Sequence, residues 1–577
     1  MRLEVCLSSG ALAPLAVMVG QVVGDCFIAP RTTPRRGVDF ALACTCHNGL
    51  LGYSAAGRVP CIVSACHTTR FISLLRPRQC TVFATFPDGH FPNIASMSAY
   101  TREALIGQIA RTLGQRKLYW FGTRGDDAAS LIDLEPFQGC FSYINTWSGW
   151  PLEFTGSLED ITHRRVDLDA YDIDDHINDT EVQELRQAML YAMSHESAIV
   201  TYRPSEFLSI LGFQRSHSCQ YLGIFFQTQH AFEFKPWVEN MVAHAKPEIA
   251  WLGWDYVAKE DRDIAAQRLT KQTVVLRGPR GSGGVGMRKA STPEEFVQGW
   301  PEDDTAFANV AAYRPDCLPL NIGAVVWPDG GVSLHWPSVQ LIGLTGLTTK
   351  PFGYCGNDFA AAASLPPEYL DLLEKTTRQL GGLIYTQGYR GVFGVDYLLD
   401  PRTGELLFTE INPRAQGSTR LSCAISRELG QPCILLEHTA VMLALQNQDS
   451  SLSCPKQAPL REWVHDAPPA SQIIVHNTSS VTAKIDPGPA LQKLTSEKQI
   501  VDAAIIINRQ IICDPNAVIC NLRLAHSVTP DGYSLHSNTD RTLLDAGIYN
   551  LSSITEPPIT QQDSPIVNPL NRGIIYD

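Results

Sequence analysis

The sequence reads as a mixed α/β and α+β protein: an open N-terminal α/β layer, a two-part central domain and a small C-terminal β-rich extension. Three observations carry that reading. Short apolar strands alternate with helices over the N-terminal part. Two apolar hairpins, within Leu320–Gly343 and Gly391–Arg414, follow a glycine-rich loop. A polar, proline-spotted stretch, Gln446–Ala470, then separates them from further strand-like runs. Helices between strands point to an open layer, and strands joined by short turns point to antiparallel pairing.

The elements follow in order. Gly10–Gly24 is apolar, but only Arg2 precedes it, so a buried element is expected rather than a signal peptide. Cys44, Cys46, His47, Cys61, Cys66 and His67 come closest to a metal pattern, yet their spacings suit no standard zinc site. Cys80–Phe86, Lys117–Thr123, Cys140–Thr146 and Ser197–Tyr202 have the apolar, β-branched and aromatic make-up of strands. Thr101–Gly114 is a helix: Thr101 caps it, Leu105, Ile109 and Leu113 share a face, and Gly114 ends it. Asn178–Glu196 is a second helix and Lys235–Ala245 a third. A strand and glycine loop (Gln272–Met287), a helix (Thr292–Trp300) and a strand (Asn309–Pro315) come next. The first hairpin turns on Asp329, Gly330 and Gly331. Pro366–Tyr389 is helical, with a break expected at Gly381–Gly382. The second hairpin turns through Asp400 to Gly404, Arg427–Leu445 closes the domain as a helical segment, and Ser471–Val528 supplies the last strands. These shifts predict units at 1–232, 233–308, 309–446 and 447–577.

Composition bounds the function. The chain has 577 residues, 44% apolar and 18% charged, enough for several cores. A formal charge of −13 argues against nucleic-acid and anionic-membrane partners. Sixteen scattered cysteines are unlike a disulfide scaffold and suit a reducing, cytoplasmic setting. No run reaches the ~18–20 apolar residues of a membrane span.

The stretch Leu406–Arg420, LLFTEINPRAQGSTR, carries the chemistry. Residues two apart on a strand share a face, so Glu410 and Asn412 point one way and Ile411 the other. Folding the hairpin brings Asp396 near Glu410. Two facing carboxylates repel unless one is protonated or a cation joins them. Carboxylate and amide oxygens suit Mg2+ or Mn2+, which commonly complete their shell with phosphate oxygens. A solvated edge hairpin is the plain alternative, but these strands are too apolar for it. Upstream, Arg277–Met287 follows a strand, and its glycines would let backbone N–H groups approach an anion. It lacks the closing Lys-Ser/Thr of a P-loop and the acidic partner of a dinucleotide fingerprint.

A lysine-led helix, a strand ending in a basic residue, a glycine loop, a hinge strand, then an acid and Glu-x-Asn-x-Arg on paired strands: this order resembles the ATP-grasp superfamily over roughly Glu233–Ala444. The resemblance implies an N-terminal layer of the pre-ATP-grasp type and a two-part ATP-grasp domain. It assigns Asp396, Glu410 and Asn412 as Mg2+ (or Mn2+) ligands. ATP would be held by Lys235, Arg277, Arg280 and the loop Gly281, Ser282, Gly283, Gly284 and Gly286, with the hinge Val310, Ala312 and Tyr313 at the adenine. Arg414 would act on the reacting carboxyl group; Arg420 is a candidate second anchor for an anionic substrate, with a structural ion pair as the equal alternative. Arg277 stands where the family usually has a lysine, and the hinge lacks an acid for the ribose. The implied activity is an ATP-dependent ligase joining a small-molecule carboxylate to an amine through an acyl phosphate, releasing ADP and phosphate. A biotin-dependent carboxylase, a carboxylate–thiol ligase loading a carrier protein, and a non-catalytic nucleotide-binding protein stay open as alternatives, as does a homodimer. His335, Trp336, Gln340 and Tyr354 are candidate pocket residues, with core packing the plainer role for each.

Overall fold

The computed structural model describes residues 26–32, 38–46, 49–54, 100–146, 152–193, 196–210, 219–301, 305–496, 500–504 and 511–553. Gly10–Gly24, the strand at Cys80–Phe86 and most of the N-terminal Cys/His set lie outside them. The chain divides into two compact units, Met1–Ala95 and Ser96–Asp577. In the first, β1 (Cys26–Thr32), β2 (Val38–Cys46) and β3 (Gly49–Ser54) form an antiparallel sheet in that order.

The second unit opens with a parallel sheet. Its strands are β4 (Lys117–Arg124), β5 (Phe137–Ile144), β6 (Phe154–Ser157), β7 (Ser197–Thr201) and β8 (Cys219–Leu222), ordered β6-β5-β4-β7-β8. Alternation along β4 assigns its two faces. Leu118 and Trp120 join a core with Leu105, Ile109 and Leu113 of α1 (Arg102–Leu113), while Tyr119 and Phe121 join another with Val182 and Leu185 of α2 (Thr180–Ala192). α1 begins where the Thr101 hydroxyl accepts from Ala104 N at 3.2 Å, and ends at Gly114, whose φ is 62°. Burying each large residue of its apolar face contributes about 1.5–3 kcal/mol.

After α3 (Lys235–Ala245) comes a four-stranded antiparallel sheet of β9 (Asp255–Ala258), β10 (Val274–Arg277), β11 (Arg288–Ala290) and β12 (Phe307–Ala312), ordered β11-β10-β12-β9. Helices α4 (Arg262–Leu269) and α5 (Pro293–Gln298) cover it, with Ala266, Leu276 and Phe296 in a small core. The glycine loop is the tip of the β10–β11 hairpin.

The largest sheet is antiparallel and eight-stranded. It contains β13 (Leu318–Val326), β14 (Val332–Ile342), β15 (Tyr354–Asp358), β16 (Gly391–Leu399), β17 (Leu406–Asn412), β18 (Ser471–His476), β20 (Ile500–Ala504) and β22 (Val518–Leu524), ordered β17-β16-β13-β14-β15-β18-β22-β20. Strands β19 (Ala483–Ile485) and β21 (Ile511–Cys513) pair separately. The C-terminal strands therefore extend the central sheet, through Ile473 opposite Gly356.

Helix α6 (Pro367–Thr386) runs unbroken through Gly381–Gly382, contrary to the expected break. A Cβ on Gly381 would meet Val332 Cγ2 at 2.6 Å, so this glycine serves close helix–sheet packing rather than a kink. The helices α7 (Thr419–Glu428) and α8 (Ile434–Gln446) replace the single segment expected there. α8 is buried nearly all round. Its Glu437 accepts from Tyr100 at 3.0 Å and lies 3.1 Å from His335 Nε2. Cys140, Cys317, Cys355, Cys423, Cys433, Cys454, Cys513 and Cys520 are free thiols, and among the described residues no helix is long and apolar enough to cross a membrane.

Candidate active site

The second hairpin sets the geometry. Asp396 on β16 lies directly opposite Glu410 on β17, and Asn412 opposite Gly394. A bulge between Asp396 and Tyr397 makes this register: Thr409 is the extra residue, and its hydroxyl donates to the Asp396 carbonyl at 2.8 Å.

The two carboxylates live in different surroundings. Asp396 accepts amide N–H groups from Asn321 (2.6 Å), Asn412 (3.0 Å), Gln340 (3.2 Å) and Gln416 (3.4 Å). Burial, then the charge of Glu410, nevertheless push its pKa up to about 7, outweighing those hydrogen bonds. Burial acts on Glu410 in the same sense, but Lys235 and then Arg277 prevail and hold it below the usual range. Lys235 Nζ sits 2.8 Å from Glu410 Oε2 and donates to Gly281 O at 2.9 Å, while Arg277 Nη1 is 3.4 Å from the same carboxylate oxygen.

Arg277 is itself fixed in place. Its guanidinium lies 3.7 Å from the Trp254 ring centroid and pairs with the buried Glu239. Glu239 also accepts from Tyr256 at 2.9 Å and Asn309 at 3.2 Å. Burial raises the Glu239 pKa against the pull of Arg277. A flat cation stacked on an aromatic face explains why arginine, and not lysine, occupies the end of β10.

One cavity of about 280 Å³ is lined by all three hairpin residues. Trp254, Val275, Ala311, Ala312, Tyr313 and Arg314 form one part of its wall, Ser282, Gly283, Gly284 and Met287 another, and Arg414, Tyr202 and Arg124 a third. The loop is seated closely. A Cβ on Gly283 would meet the Asp169 carboxylate at 2.1–2.3 Å, and one on Gly284 would meet Phe352 O at 1.9 Å. Both glycines have positive φ, 57° and 75°.

Not every residue singled out from sequence reaches the cavity. Asp396, Glu410, Asn412, Arg414, Arg277, Ser282, Gly283, Gly284, Ala312 and Tyr313 line it, and Lys235 touches it through Glu410. Val310 instead packs in the small core of the four-stranded sheet. Gly281 and Gly286 lie outside the lining, and Arg280 donates to His230 O at 2.7 Å with its guanidinium over Phe234. Arg420 pairs with the buried Asp126 at 2.7 Å beside a second cavity. Gln340 and Tyr354 line the main cavity, whereas His335 pairs with Glu437 and Trp336 packs on Trp463.

The structure adds residues that the sequence did not single out. Glu239 follows Lys235 by one helical turn, a spacing that could have flagged it. Trp254, Asn309, Asn321, Gln416, Asp169 and His476 had no local signal.

The donor set fits a hard divalent cation: two carboxylates facing across a ladder and a neighbouring amide, with cations of the chain beside one acid. Among the described residues no group of three His, Cys, Asp or Glu side chains is placed to hold a metal, so an amide oxygen has to share in any such site.

No protein-family model and no curated protein sequence matches the chain. Solved structures do. Pyruvate carboxylase of Rhizobium etli, solved as its T882A form with acetyl coenzyme-A, superposes with a TM-score of 0.50 at 13% identity, over 74% of this chain and 37% of that one. Biotin carboxylase of Campylobacter jejuni, in a β-γ-ATP complex, gives 0.48 at 13% identity, over 71% and 87%. N5-carboxyaminoimidazole synthetase of Staphylococcus aureus, complexed with ADP, gives 0.47 at 10% identity, over 74% and 96%. The fold is the ATP-grasp fold. At such identities the likeness concerns the fold alone.

Proposed function

We propose that the chain is an ATP-dependent ligase that joins a carboxylate to an amine through an acyl phosphate, releasing ADP and phosphate. The observation that carries this reading is Asp396 opposite Glu410, with Asn412 beside them, in a cavity covered by the glycine loop. That arrangement serves a triphosphate and a divalent cation better than it serves packing, since it keeps two acids together at the wall of a cavity.

Each residue has a task in the reaction. Lys235, Arg277 and the N–H groups of the loop hold the phosphates of ATP. Ala311–Arg314 and Trp254 receive the base. Asp396, Glu410 and the Asn412 amide hold Mg2+ or Mn2+. The metal supplies charge neutralisation and alignment to a phosphoryl transfer that depends mainly on positioning. Arg414, which lies over Tyr202 at 5.8 Å and donates to Ala415 O at 3.1 Å and Asn412 Oδ1 at 3.3 Å, would act on the carboxylate to be activated. The loop, seated on Phe352 and Asp169, keeps water from the acyl phosphate. The amine forms the C–N bond as the bond to phosphate breaks.

The test is carboxylate-dependent ADP release in wild type and Glu410→Gln. Release by the wild type, with a loss on the order of 100-fold or more in the variant at unchanged melting behaviour, supports the reading. Equal rates in the two would sink it.

A further inference from the structure

Beyond the hairpin, the cavity runs to an end that the reading above leaves without a task. Its wall includes Asp167, Asp169, Asn516 and His476. His476 closes β18, where alternation places it on the same face as Ile474, another lining residue. The ring is 6% exposed. Its Nδ1 lies 3.0 Å from Leu347 O, and a carbonyl only accepts, so Nδ1 carries the hydrogen. The lone pair is thereby on Nε2, which forms no hydrogen bond among the described residues.

Charge and position define what this end can take. Lys350 Nζ lies 2.8 Å from Asp167 and 3.5 Å from Asp169, so two carboxylates share one ammonium and one negative charge is in excess. Asp169 is also the residue against which Gly283 of the loop is seated. A ligand held by Asp169 therefore lies next to the loop that covers the phosphates. Tyr202, over which Arg414 lies, lines the same cavity as Asp169 and His476.

We propose that the end of the cavity walled by Asp167, Asp169 and His476 is the subsite of the attacking amine, that the amine arrives as a primary ammonium, and that His476 Nε2 takes its proton. This rests on the ligase reading. The ammonium replaces the missing positive charge beside Asp169. Transfer of one proton to Nε2 leaves a neutral amine with a lone pair and an imidazolium. The amine attacks the acyl carbon, the C–N bond forms, and the C–O bond to phosphate breaks with its electron pair leaving on phosphate. The nitrogen gives its extra proton to the departing phosphate, and His476 returns its own to solvent. Burial, the larger effect, lowers the His476 pKa, and Asp169 opposes it by favouring the imidazolium that forms beside its carboxylate.

The experiment uses two acceptors on the full chain with ATP and Mg2+. Hydroxylamine is neutral near pH 7 and needs no base; the protein amino acids and putrescine arrive as ammonium ions. Protein amino acids and simple aliphatic acids serve as carboxylates, and hydroxamate and amide products are quantified by mass spectrometry. In His476→Gln the ratio of amide to hydroxamate formation is expected to fall about 100-fold. In Asp169→Asn the KM for the amine is expected to rise roughly tenfold more than that for hydroxylamine, from loss of one partly buried charge pair. Because the ratio is read within one variant, partial unfolding cancels. A His476→Gln ratio within about threefold of wild type overturns the proposal, as does a wild type that makes hydroxamates but no amide. A wild type that makes no hydroxamate at all refutes the ligase reading itself, which is a different result.

Discussion

Two glycines of the loop offer a matched pair of perturbations. Gly284 and Gly286 have nearly the same backbone, φ 75° and 71°. An alanine in that region is disfavoured by about 1 kcal/mol at either position. They differ in what a methyl group would meet. At Gly286 nothing lies within 4 Å; at Gly284 the new Cβ would sit 1.9 Å from Phe352 O and 2.5 Å from its carbonyl carbon. Carbon and carbonyl oxygen approach to about 3.3 Å at closest, so the loop has to withdraw by more than an ångström. The obstacle is backbone, so it cannot swing aside. Overpacking of this kind costs about 2 kcal/mol, which is a roughly 30-fold weakening of binding if the seated loop is the ATP-holding form. The assay is titration calorimetry of ATP·Mg2+ on Gly284→Ala and Gly286→Ala, with the Gly286 variant as the backbone control. Gly284→Ala is expected to bind roughly 30-fold more weakly than its control. Equal affinities would refute the claim that this seating accompanies nucleotide binding.

Three further substitutions probe the site and the frame around it. Arg277→Lys loses the stack on Trp254 and the fork toward Glu239, and the KM for ATP is expected to rise roughly tenfold in steady-state kinetics; an unchanged KM would show that the arginine is dispensable. Arg420→Ala removes the partner of buried Asp126, so chemical denaturation should show a loss of about 3 kcal/mol. Its KM values should stay near wild type, and a large rise in KM at unchanged stability would return Arg420 to the substrate. His438 is fully buried and accepts from Val392 N at 3.2 Å, and burial lowers its pKa to about 4. The unfolded chain therefore binds this proton first, near pH 6.5, and stability falls as pH drops from there toward 4, by roughly 3 kcal/mol in all. His438→Asn should flatten that stretch of the pH–stability curve, and an unaltered curve would show that another group sets it.

What could be read from sequence was what is local. Alternation along one strand gave Glu410 and Asn412 a common face, and one short turn brought Asp396 toward them. The bulge at Thr409 that sets their register left no mark in composition. The small-residue pair Gly381–Gly382 looked like a break because propensity says so; contact with Val332 decided otherwise. Arg420 follows Arg414 closely in sequence, but helix α7 turns it toward Asp126. His476 and Asp169 reach the cavity through strand β18 and a loop far away in the chain. Such placement follows from sheet order, which strand-by-strand reading does not supply.

The central claim is that Asp396, Glu410 and Asn412 form one metal–nucleotide site, and binding of Mn2+ in the presence of a non-hydrolysable ATP analogue measures it most directly. Electron paramagnetic resonance titration should show Mn2+ bound by wild type, with affinity lowered on the order of 100-fold in Glu410→Gln and in Asp396→Asn. Mn2+ and analogue binding equally well to both variants would contradict the account.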